Sequence, residues 1–422
     1  MSLDRVIFHV DVNSAFLSWE AVHRLAHLGG TLDLRTVPSA VAGDMSKRHG
    51  IILAKSLPAK KYGIKTGEAT WEAERKCPGL ILVPPNYSLY QASSAAMMDI
   101  LRQYSPEVEQ YSVDEAFIDM SGTKGLWGEP LAAANQIRDR IRNELGFTVN
   151  IGISDSKVLA KMASDFQKPD RVHTLYREEI KGKMWPLPVS DLFFVGRATT
   201  KKLLALGIRT IGELAQSDPR TLKAHLKSHG EVIWSFANGM ETSVVEPVPP
   251  ANKGYGNSTT IAFDVEDPAT AKLVLLALSE TVAARLRKDR VKAEIVVVGI
   301  KSCDFAYASH QMILGNATNI TMEIQEAACR LFDELWDGRP IRHLGIHTSR
   351  IRAGSVPRQY DLFDETDYEK LEHMDQAVDS IRIRYGNDSL KRAAFLKGKI
   401  DHMEGGISRE KRTVDYEQLK ID

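Results

Sequence analysis

The sequence lacks long apolar runs and is poor in cysteine, and each lack excludes a class of protein. No stretch of the 422 residues approaches the roughly 20 apolar positions that a membrane-spanning helix needs, so we expect no membrane partner. The first residues show no cationic stretch leading into an apolar core, so we expect a cytoplasmic location. Three cysteines, Cys77, Cys303 and Cys329, lack Cys-x-x-Cys spacing, which argues against a disulfide framework or a zinc site and predicts buried thiols.

The sequence also has no net charge, because basic and acidic residues number 55 each. Zero net charge argues against a nucleic-acid partner, since binding phosphates requires cations. The local distribution differs: residues 171–241 hold eleven basic and seven acidic residues, and residues 45–66 hold no acid and six bases, namely Lys47, Arg48, Lys55, Lys60, Lys61 and Lys65. Such segments predict one anion-binding face, although a solvated surface is an equally open interpretation.

Acidic residues stand at the ends of predicted strands in the first third of the chain. The β-branched run Val6–Val10 ends at Asp11 and predicts a central strand, with a helix following over 14–26. Two further strands, predicted over 108–113 and 116–120, flank Asp114 and Glu115 and place them at a hairpin turn. The acids therefore belong to strand ends that a sheet can bring together.

A third strand, predicted over 148–153, leads into a helix that carries Lys157 and Lys161. The four-residue spacing places both lysines on one helix face, where they could bind the same anion. Alternating strands and helices with acids at strand ends predict a mixed α/β sheet whose functional groups gather along one edge.

The chain becomes helical and basic from about Asp191. The segment Val195-Gly196-Arg197, followed by Leu203 to Gly207, predicts a helix-hairpin-helix. Such hairpins offer backbone N–H groups to phosphates without reading bases, which makes Gly196, Arg197 and Lys201 candidate DNA contacts. A plain helical bundle with glycine caps remains the alternative.

A proline-dense segment at Val245–Pro250 predicts a linker, after which a new domain begins. Its pattern predicts the order β-α-β-β-α-β between about Gly256 and Ile351. Beyond Arg352 the chain is polar, with a helix predicted near 367–385, so we expect a partly flexible tail.

Asp11, Asp114 and Glu115 are three carboxylates of the kind that Mg²⁺ prefers, and the carbonyl of Val12 could add a fourth oxygen. Two Mg²⁺ ions together neutralise the attacking and leaving oxygens in phosphoryl transfer. Each acid taken singly is more typical of a loop. An acidic pair between apolar strands, however, requires cations to offset its desolvation.

Three sequence blocks resemble the signature blocks of Y-family DNA polymerases: residues 11–16 (Asp-Val-Asn-Ser-Ala-Phe), residues 111–119 around Ser-Val-Asp-Glu-Ala, and residues 152–161 ending in Ala-Lys. They occur in the family's order, and the resemblance covers roughly residues 4–390. The Asp-Val-Asn start looks closer to the polymerase V catalytic subunit than to polymerase IV, whose members usually carry an acid at the position of Asn13.

The resemblance implies a multi-domain α/β right hand: a palm with a mixed sheet, small fingers, a helix-hairpin-helix thumb and a β-α-β-β-α-β little finger. The expected boundaries are 1–14 and 87–172 for the palm, 15–86 for the fingers, 173–241 for the thumb, 242–252 for the linker, 253–355 for the little finger and 356–422 for the tail. The expected activity is primer extension with dNTPs on a DNA template by a monomer, using two Mg²⁺ ions. The small and polar residues expected near the fingers, such as Ser39, Ala42 and Gly43, indicate a loosely enclosed base pair and so predict low fidelity and tolerance of damaged templates.

The resemblance also implies nucleotide contacts. Phe16 stands at the family's steric gate, which excludes ribonucleotides, and Asn13, Ser56, Lys60 and Lys161 are further candidates. The sequence departs from the family at Leu57, where an aromatic residue is usual, at Lys60, where arginine is usual, and at Ala15, where a bulky aromatic is frequent.

The segment 359–363 (Gln-Tyr-Asp-Leu-Phe) resembles the peptide by which bacterial polymerases bind the sliding clamp, which implies clamp contacts from Gln359, Leu362 and Phe363. Two other functions remain open. A non-catalytic DNA- and clamp-binding protein on a polymerase scaffold would suit the departures at Leu57, Lys60 and Ala15. A nucleotidyl cyclase can share the acid arrangement but has no use for the hairpin or the clamp-like peptide.

Overall fold

The computed structural model describes residues 5–44, 48, 50–360, 363–396 and 399–402. In chain order the strands are β1 (Ile7–Val12), β2 (Ser39–Ala42), β3 (Ile52–Lys55), β4 (Ile81–Val83), β5 (Val108–Gln110), β6 (Glu115–Asp119), β7 (Val149–Ser154), β8 (Val172–Thr174), β9 (Gly254–Val265), β10 (Val291–Ser302), β11 (Tyr307–Thr318) and β12 (Ile341–Ala353).

The α-helices fall between and beyond these strands. In chain order they are α1 (Ala15–His27), α2 (Leu57–Lys61), α3 (Thr70–Lys76), α4 (Tyr87–Arg102), α5 (Lys124–Trp127), α6 (Pro130–Leu145), α7 (Lys157–Ser164), α8 (Arg197–Ala205), α9 (Ile211–Gln216), α10 (Pro219–Leu226), α11 (Ser228–Ala237), α12 (Pro268–Lys288), α13 (Thr321–Leu335) and α14 (Tyr368–Tyr385).

The palm is a five-stranded sheet in the order β5-β6-β1-β7-β8. Strand β1 lies at its centre, antiparallel to both β6 and β7, while β7 runs parallel to β8. All six residues of β1 and of β7 are buried, as expected for central strands with layers on both faces. The predicted mixed sheet is confirmed, and its central strand carries Asp11.

Helix α7 lies directly on β7 because Gly152 has no side chain. A Cβ atom at Gly152 would come within 1.9 Å of the Ala160 carbonyl oxygen and 2.9 Å of the Ala163 Cβ. Any larger residue would therefore push the helix away from the sheet. This close approach fixes the height of Lys161 above the strand ends.

The other domains are built on separate cores. The segment 39–83 forms the three-stranded sheet β3-β2-β4 with α2 and α3. Helices α8 to α11 pack around Leu203, Ile211, Leu214 and Ile233. The four-stranded antiparallel sheet β11-β10-β12-β9 carries α12 and α13 on one face, so the predicted β-α-β-β-α-β order is confirmed.

The proline-dense segment has no helix or strand, but it lies against the palm. Val245 is buried in a small apolar cluster with Ile7, Phe117 and Ala160. The backbone N–H of Glu246 donates to Glu109 Oε2 at 2.9 Å. The linker is therefore held at its start instead of hanging free.

The expectation of a tail with little core differs from the structure. Helix α14 packs on the little finger, and Phe395 and Ile400 are part of the little-finger core. The sequence pattern concealed this because the helix is attached mainly by ion pairs, which leave no apolar periodicity. The prediction of buried thiols holds for Cys77 but is wrong for Cys303, which is exposed in the turn between β10 and β11.

Candidate active site

The three predicted acids meet at one end of the palm sheet; we call Asp11, Asp114 and Glu115 the acid cluster. Asp11 lies directly opposite Glu115 in the register of β1 and β6. The backbone N–H of Val12 donates to the Asp114 carbonyl oxygen at 3.0 Å. Residues more than 100 positions apart are thus brought together by strand pairing, with Asp114 in the turn and Glu115 opening the strand.

Two of these carboxylates bind lysines, and the third binds a hydroxyl group. Lys161 Nζ lies 2.6 Å from Glu115 Oε1, and the ammonium group of Lys168 contacts Asp11 Oδ2. Ser112 Oγ donates to Asp114 Oδ1 at 2.6 Å. The charge of the cluster is therefore partly neutralised by side chains of the same protein.

Burial makes the Asp11 carboxylate costly to ionise. Asp11 is 7% exposed, and its desolvation raises its pKa to about 6, although the charge of Lys168 acts in the opposite direction. Glu115 adds a smaller upward contribution. A divalent cation bound to this carboxylate would offset the same desolvation, so oxygen donors and electrostatics both fit a Mg²⁺ site.

Among the described residues, one group of three potential ligand atoms lies within 4.8 Å of one another, and it is Asp388, Asp401 and His402. The acid cluster does not meet that spacing.

His9 lies two residues before Asp11 and was missed by the sequence reasoning. Burial lowers its pKa well below the ordinary value, so the imidazole is neutral. Its Nδ1 lies 2.8 Å from Ser164 Oγ, and that hydroxyl group donates to the Lys161 carbonyl oxygen. His9 thereby ties the central strand to the end of helix α7.

The two lysines of α7, which the sequence predicts could bind the same anion, have different partners in the structure. Lys157 Nζ lies 2.6 Å from Glu109 Oε2, next to the linker. Lys161 instead reaches Glu115 and lies over the rings of Tyr111 and Phe193, at 5.7 and 5.4 Å from their centroids. Of the two, Lys161 is the one that contacts the acid cluster.

Phe16 lies in a rigid aromatic group at the start of α1. Its ring stacks on Tyr90 at a centroid distance of 4.4 Å, and Tyr87 meets it edge-on at 6.1 Å. Ala15 beside it is buried in the palm core, so it leaves no gap that needs an aromatic side chain. The Phe16 ring is thus packed against two tyrosine rings.

Two predicted nucleotide contacts, Asn13 and Ser56, have their polar atoms bonded to other protein groups in this structure. The Asn13 amide donates to Asn150, and its oxygen accepts from Thr148 Oγ1 and the Asp170 N–H. The Ser56 hydroxyl group caps α2, accepting from the Ala59 N–H and donating to the Val37 carbonyl oxygen. Both side chains thus have structural partners here, and their contact with a nucleotide stays a prediction.

Lys60 is exposed on α2, as a phosphate ligand should be, and Leu57 beside it is exposed as well. Lys55 belongs to the same basic segment, and its pKa is lowered by burial first and by the charge of Lys60 second. The pair creates a local positive potential on the fingers.

The predicted hairpin is present, with Gly196 as the N-cap of α8 and Arg197 and Lys201 exposed on that helix. A Cβ atom at Gly196 would meet nothing within 4 Å, so space is open in front of the helix. Phe194, which the sequence reasoning missed, lies just before this helix. Its backbone φ is 74°, and 53% of its surface is exposed.

The clamp-like peptide begins in an anchored loop. The Gln359 N–H donates to Asn316 Oδ1 at 2.7 Å, and Asn316 Nδ2 donates to the Gln359 carbonyl oxygen at 2.9 Å. Phe363 is 92% exposed, while Leu362 lies outside the described residues.

Comparisons with known proteins agree with this architecture. Residues 10–165 match the impB/mucB/samB family, residues 252–362 its C-terminal domain and residues 177–208 its helix-hairpin-helix motif. A protein of Clostridium acetobutylicum named DNA polymerase IV is 45% identical over 94% of this chain and 99% of its own length. The chain belongs to the Y family of DNA polymerases.

Other relatives and a solved structure extend this assignment. DNA polymerase IV of Acetivibrio thermocellus is 38% identical over 94% of this chain and 99% of its own length, and DNA polymerase IV 1 of Bacillus subtilis is 36% identical over 95% of each chain. A Y-family DNA polymerase chimera, Dbh-Dpo4(243-245)-Dbh, shares the fold with a TM-score of 0.69 at 19% identity, covering 82% of this chain and 99% of its own. Since these relatives carry the polymerase IV name, Asn13 is a poor guide to the subfamily.

The hairpin match confirms the helix-hairpin-helix interpretation over a plain helical bundle. Within the described residues, no helix combines the length and the apolar character that crossing a bilayer requires.

Proposed function

We propose that this Y-family polymerase extends a DNA primer by joining its 3′-hydroxyl group to the α-phosphate of a template-paired dNTP, with release of pyrophosphate. The observation that carries the proposal is the strand register that places Asp11 opposite Glu115. In the same register, the backbone N–H of Val12 donates to the carbonyl oxygen of Asp114. A non-catalytic DNA-binding protein would have no need for three acids at one strand end, one of them buried.

Asp11, Asp114 and Glu115 would hold two Mg²⁺ ions, with the Val12 carbonyl as a further oxygen donor. When bound, the ions would lower the pKa of the primer hydroxyl group and neutralise charge on the triphosphate. Lys161, leaving Glu115, would contact the triphosphate, and Lys60 with Lys55 would contribute charge from the fingers. Lys60 supplies a point charge where the family usually has the two-pronged guanidinium group.

Phe16 would exclude ribonucleotides by sterics. A 2′-hydroxyl group on the incoming sugar would meet a ring that is stacked on Tyr90 and cannot swing aside. The DNA duplex would lie on the hairpin, with the N–H groups near Gly196 and the side chains of Arg197 and Lys201 facing phosphates.

Low fidelity and synthesis across damaged templates follow from the family assignment, and such an enzyme would act as a monomer at the nucleoid in the cytoplasm. The exposed ring of Phe363 suits an apolar pocket on the bacterial sliding clamp. Phe363→Ala should therefore lose stimulation by the clamp while keeping clamp-independent extension; equal stimulation would contradict this role.

The test of the proposed function is primer extension by wild type and by Asp114→Asn combined with Glu115→Gln. These changes keep shape and remove charge, so we expect at least about a hundredfold loss of extension with DNA affinity retained. Glu109→Gln is the matched control, because Glu109 lies in the same sheet but binds Lys157 and the linker. Undiminished extension by the double variant would place the chemistry elsewhere.

A further inference from the structure

The chain beyond α14 turns back on itself and brings three potential metal ligands together, far along the sequence from the palm acids. Asp388 lies in the short turn Asn387–Ser389, and His402 meets it from 14 positions further along the chain. One ligand atom each of Asp388, Asp401 and His402 lies within 4.8 Å of the other two. Donors from two separate segments of the tail therefore converge on one point.

The histidine distinguishes this group from an ordinary cluster of surface acids. The His402 side chain is 0% exposed, whereas those of Asp388 and Asp401 are 52% and 48% exposed. His402 Nε2 lies 2.7 Å from Asp388 Oδ1. Phe395 and Ile400, which precede the histidine in the chain, are part of the little-finger core. The imidazole is thus held at a fixed position against the core, and the carboxylates leave a path from solvent.

The two carboxylates are already arranged around a cation of the protein. Lys391 Nζ lies 3.0 Å from Asp388 Oδ1 and 3.4 Å from Asp401 Oδ1. The Lys391 side chain is 33% exposed and carries its charge on a flexible stem, so the ammonium group can move into solvent when another cation takes its place. The position between the carboxylates therefore suits a cation that can be exchanged.

We propose that Asp388, Asp401 and His402 form a zinc site that fastens the end of the tail to the little finger. Zn²⁺ binds imidazole nitrogen together with carboxylate oxygen, and water can complete its four ligands, whereas Mg²⁺ prefers oxygen donors alone. The ion joins the two segments and closes the part of the chain that carries Phe395 and Ile400. It acts on the stability of the tail, so the inference does not depend on the proposed function.

The experiment is a titration of the full, chelator-treated chain with Co²⁺, a substitute for Zn²⁺ that absorbs visible light strongly when it has four ligands. We expect wild type to develop this absorption until the site is filled, and added Zn²⁺ to remove it. His402→Gln and Asp388→Asn should each weaken Co²⁺ binding at least about tenfold, because each removes a donor. No absorption by wild type, or equal absorption by both variants, would overturn the inference.

His310→Gln is the matched control, because His310 also lies in the little finger near a carboxylate, 3.4 Å from Glu334 Oε2, but outside the group of three ligands. It should bind Co²⁺ as wild type does. A loss as large as that of His402→Gln would show unspecific binding by histidines and overturn the inference. Melting temperatures in EDTA verify that each variant is folded, and Asp388→Asn decides alone should the buried His402→Gln fail to fold.

Two further variants locate the ion. Lys391→Met should bind Co²⁺ about three- to tenfold more tightly than wild type, because it removes the cation that occupies the carboxylates. Unchanged or weaker binding would show that the ion does not take the place of the ammonium group and would overturn the inference. Asp11→Asn should keep the full absorption, since the palm acids offer only oxygen donors. Loss of the absorption in Asp11→Asn would assign the ion to the palm and overturn the inference as well.

Discussion

The molecule contains two clusters of buried charge that differ in their cations. In the palm, the acid cluster is balanced by Lys161 and Lys168. In the little finger, the acids that attach α14 are balanced by arginines: Arg287 binds Asp375 and Asp379, and Arg382 and Arg392 both bind Glu280. One cluster is built from single-point lysine contacts and the other from forked guanidinium groups.

The difference indicates which cluster can exchange its ion-pair contacts more readily. A guanidinium group makes several directed bonds at once, as Arg287 does with Asp375, Asp379 and the Asn319 carbonyl oxygen. An ammonium group is a point charge on a flexible stem and is more readily moved to another partner. The arginine network therefore holds α14 by several directed bonds at once, while each lysine contact in the palm is a point charge that is more readily moved.

The largest stability effect should come from the arginine network. Arg287→Met leaves Asp375, which is 3% exposed, without its main cation, and breaking such a pair costs about 3–5 kcal/mol. Calorimetry should show lower stability of the little-finger transition. The control is Lys272→Met, on the same helix α12 as Arg287. It removes an exposed ion pair with Asp333 of α13 and should change the stability little. Equal effects of the two variants would erase the contrast between the clusters.

A smaller effect should appear in the pH dependence of stability in EDTA. Burial raises the pKa of Asp11 from 3.8 to about 6, so between these values the folded state binds more protons than the unfolded state. The contribution of Asp11 to stability therefore falls as pH rises through this window, by about 3 kcal/mol in all, and is constant above it.

Asp11→Asn removes this titration. As the pH rises from 4 to 6, the melting temperature of wild type should therefore fall relative to that of the variant. Subtracting the two profiles cancels the contribution of His9, whose lowered pKa acts in the opposite direction. Parallel profiles would contradict a desolvated Asp11.

The smallest effect should come from an ion pair outside both clusters. Arg48 Nη1 lies 2.6 Å from Asp264 Oδ1 and joins the fingers to the little finger, with both side chains partly exposed. Asp264→Asn should change the free energy of unfolding by less than about 1 kcal/mol, because water solvates each partner well. A loss as large as that of Arg287→Met would show that exposure is not what separates these pairs.

Local sequence patterns predicted much of the fold and identified the three acids at the strand ends. Apolar runs identified β1, β6 and β7, and Asp11, Asp114 and Glu115 stand at the ends of those strands. Contacts between distant segments were not predictable from a pattern. Lys168 meets Asp11 across 157 positions, and Arg287 meets Asp379 across 92, so neither pair leaves a local signal.

The partners of Asn13, Ser56 and Lys157 were likewise not predictable. Residue type and position suggested a ligand, and in the structure nearby backbone or, for Lys157, the carboxylate of Glu109 in β5 is bonded to the polar groups. Local hydrogen bonding of this kind competes with ligand binding and is decided only when the surrounding chain has folded.

The most direct test of the central claim is the position of bound cations in crystals of the chain with primer–template DNA and a non-hydrolysable dNTP, grown with Mn²⁺. Anomalous scattering locates the ions without reference to activity. The account predicts two peaks coordinated by Asp11, Asp114 and Glu115. Peaks confined to Asp388, Asp401 and His402, with the lysines still on the palm acids, would contradict it.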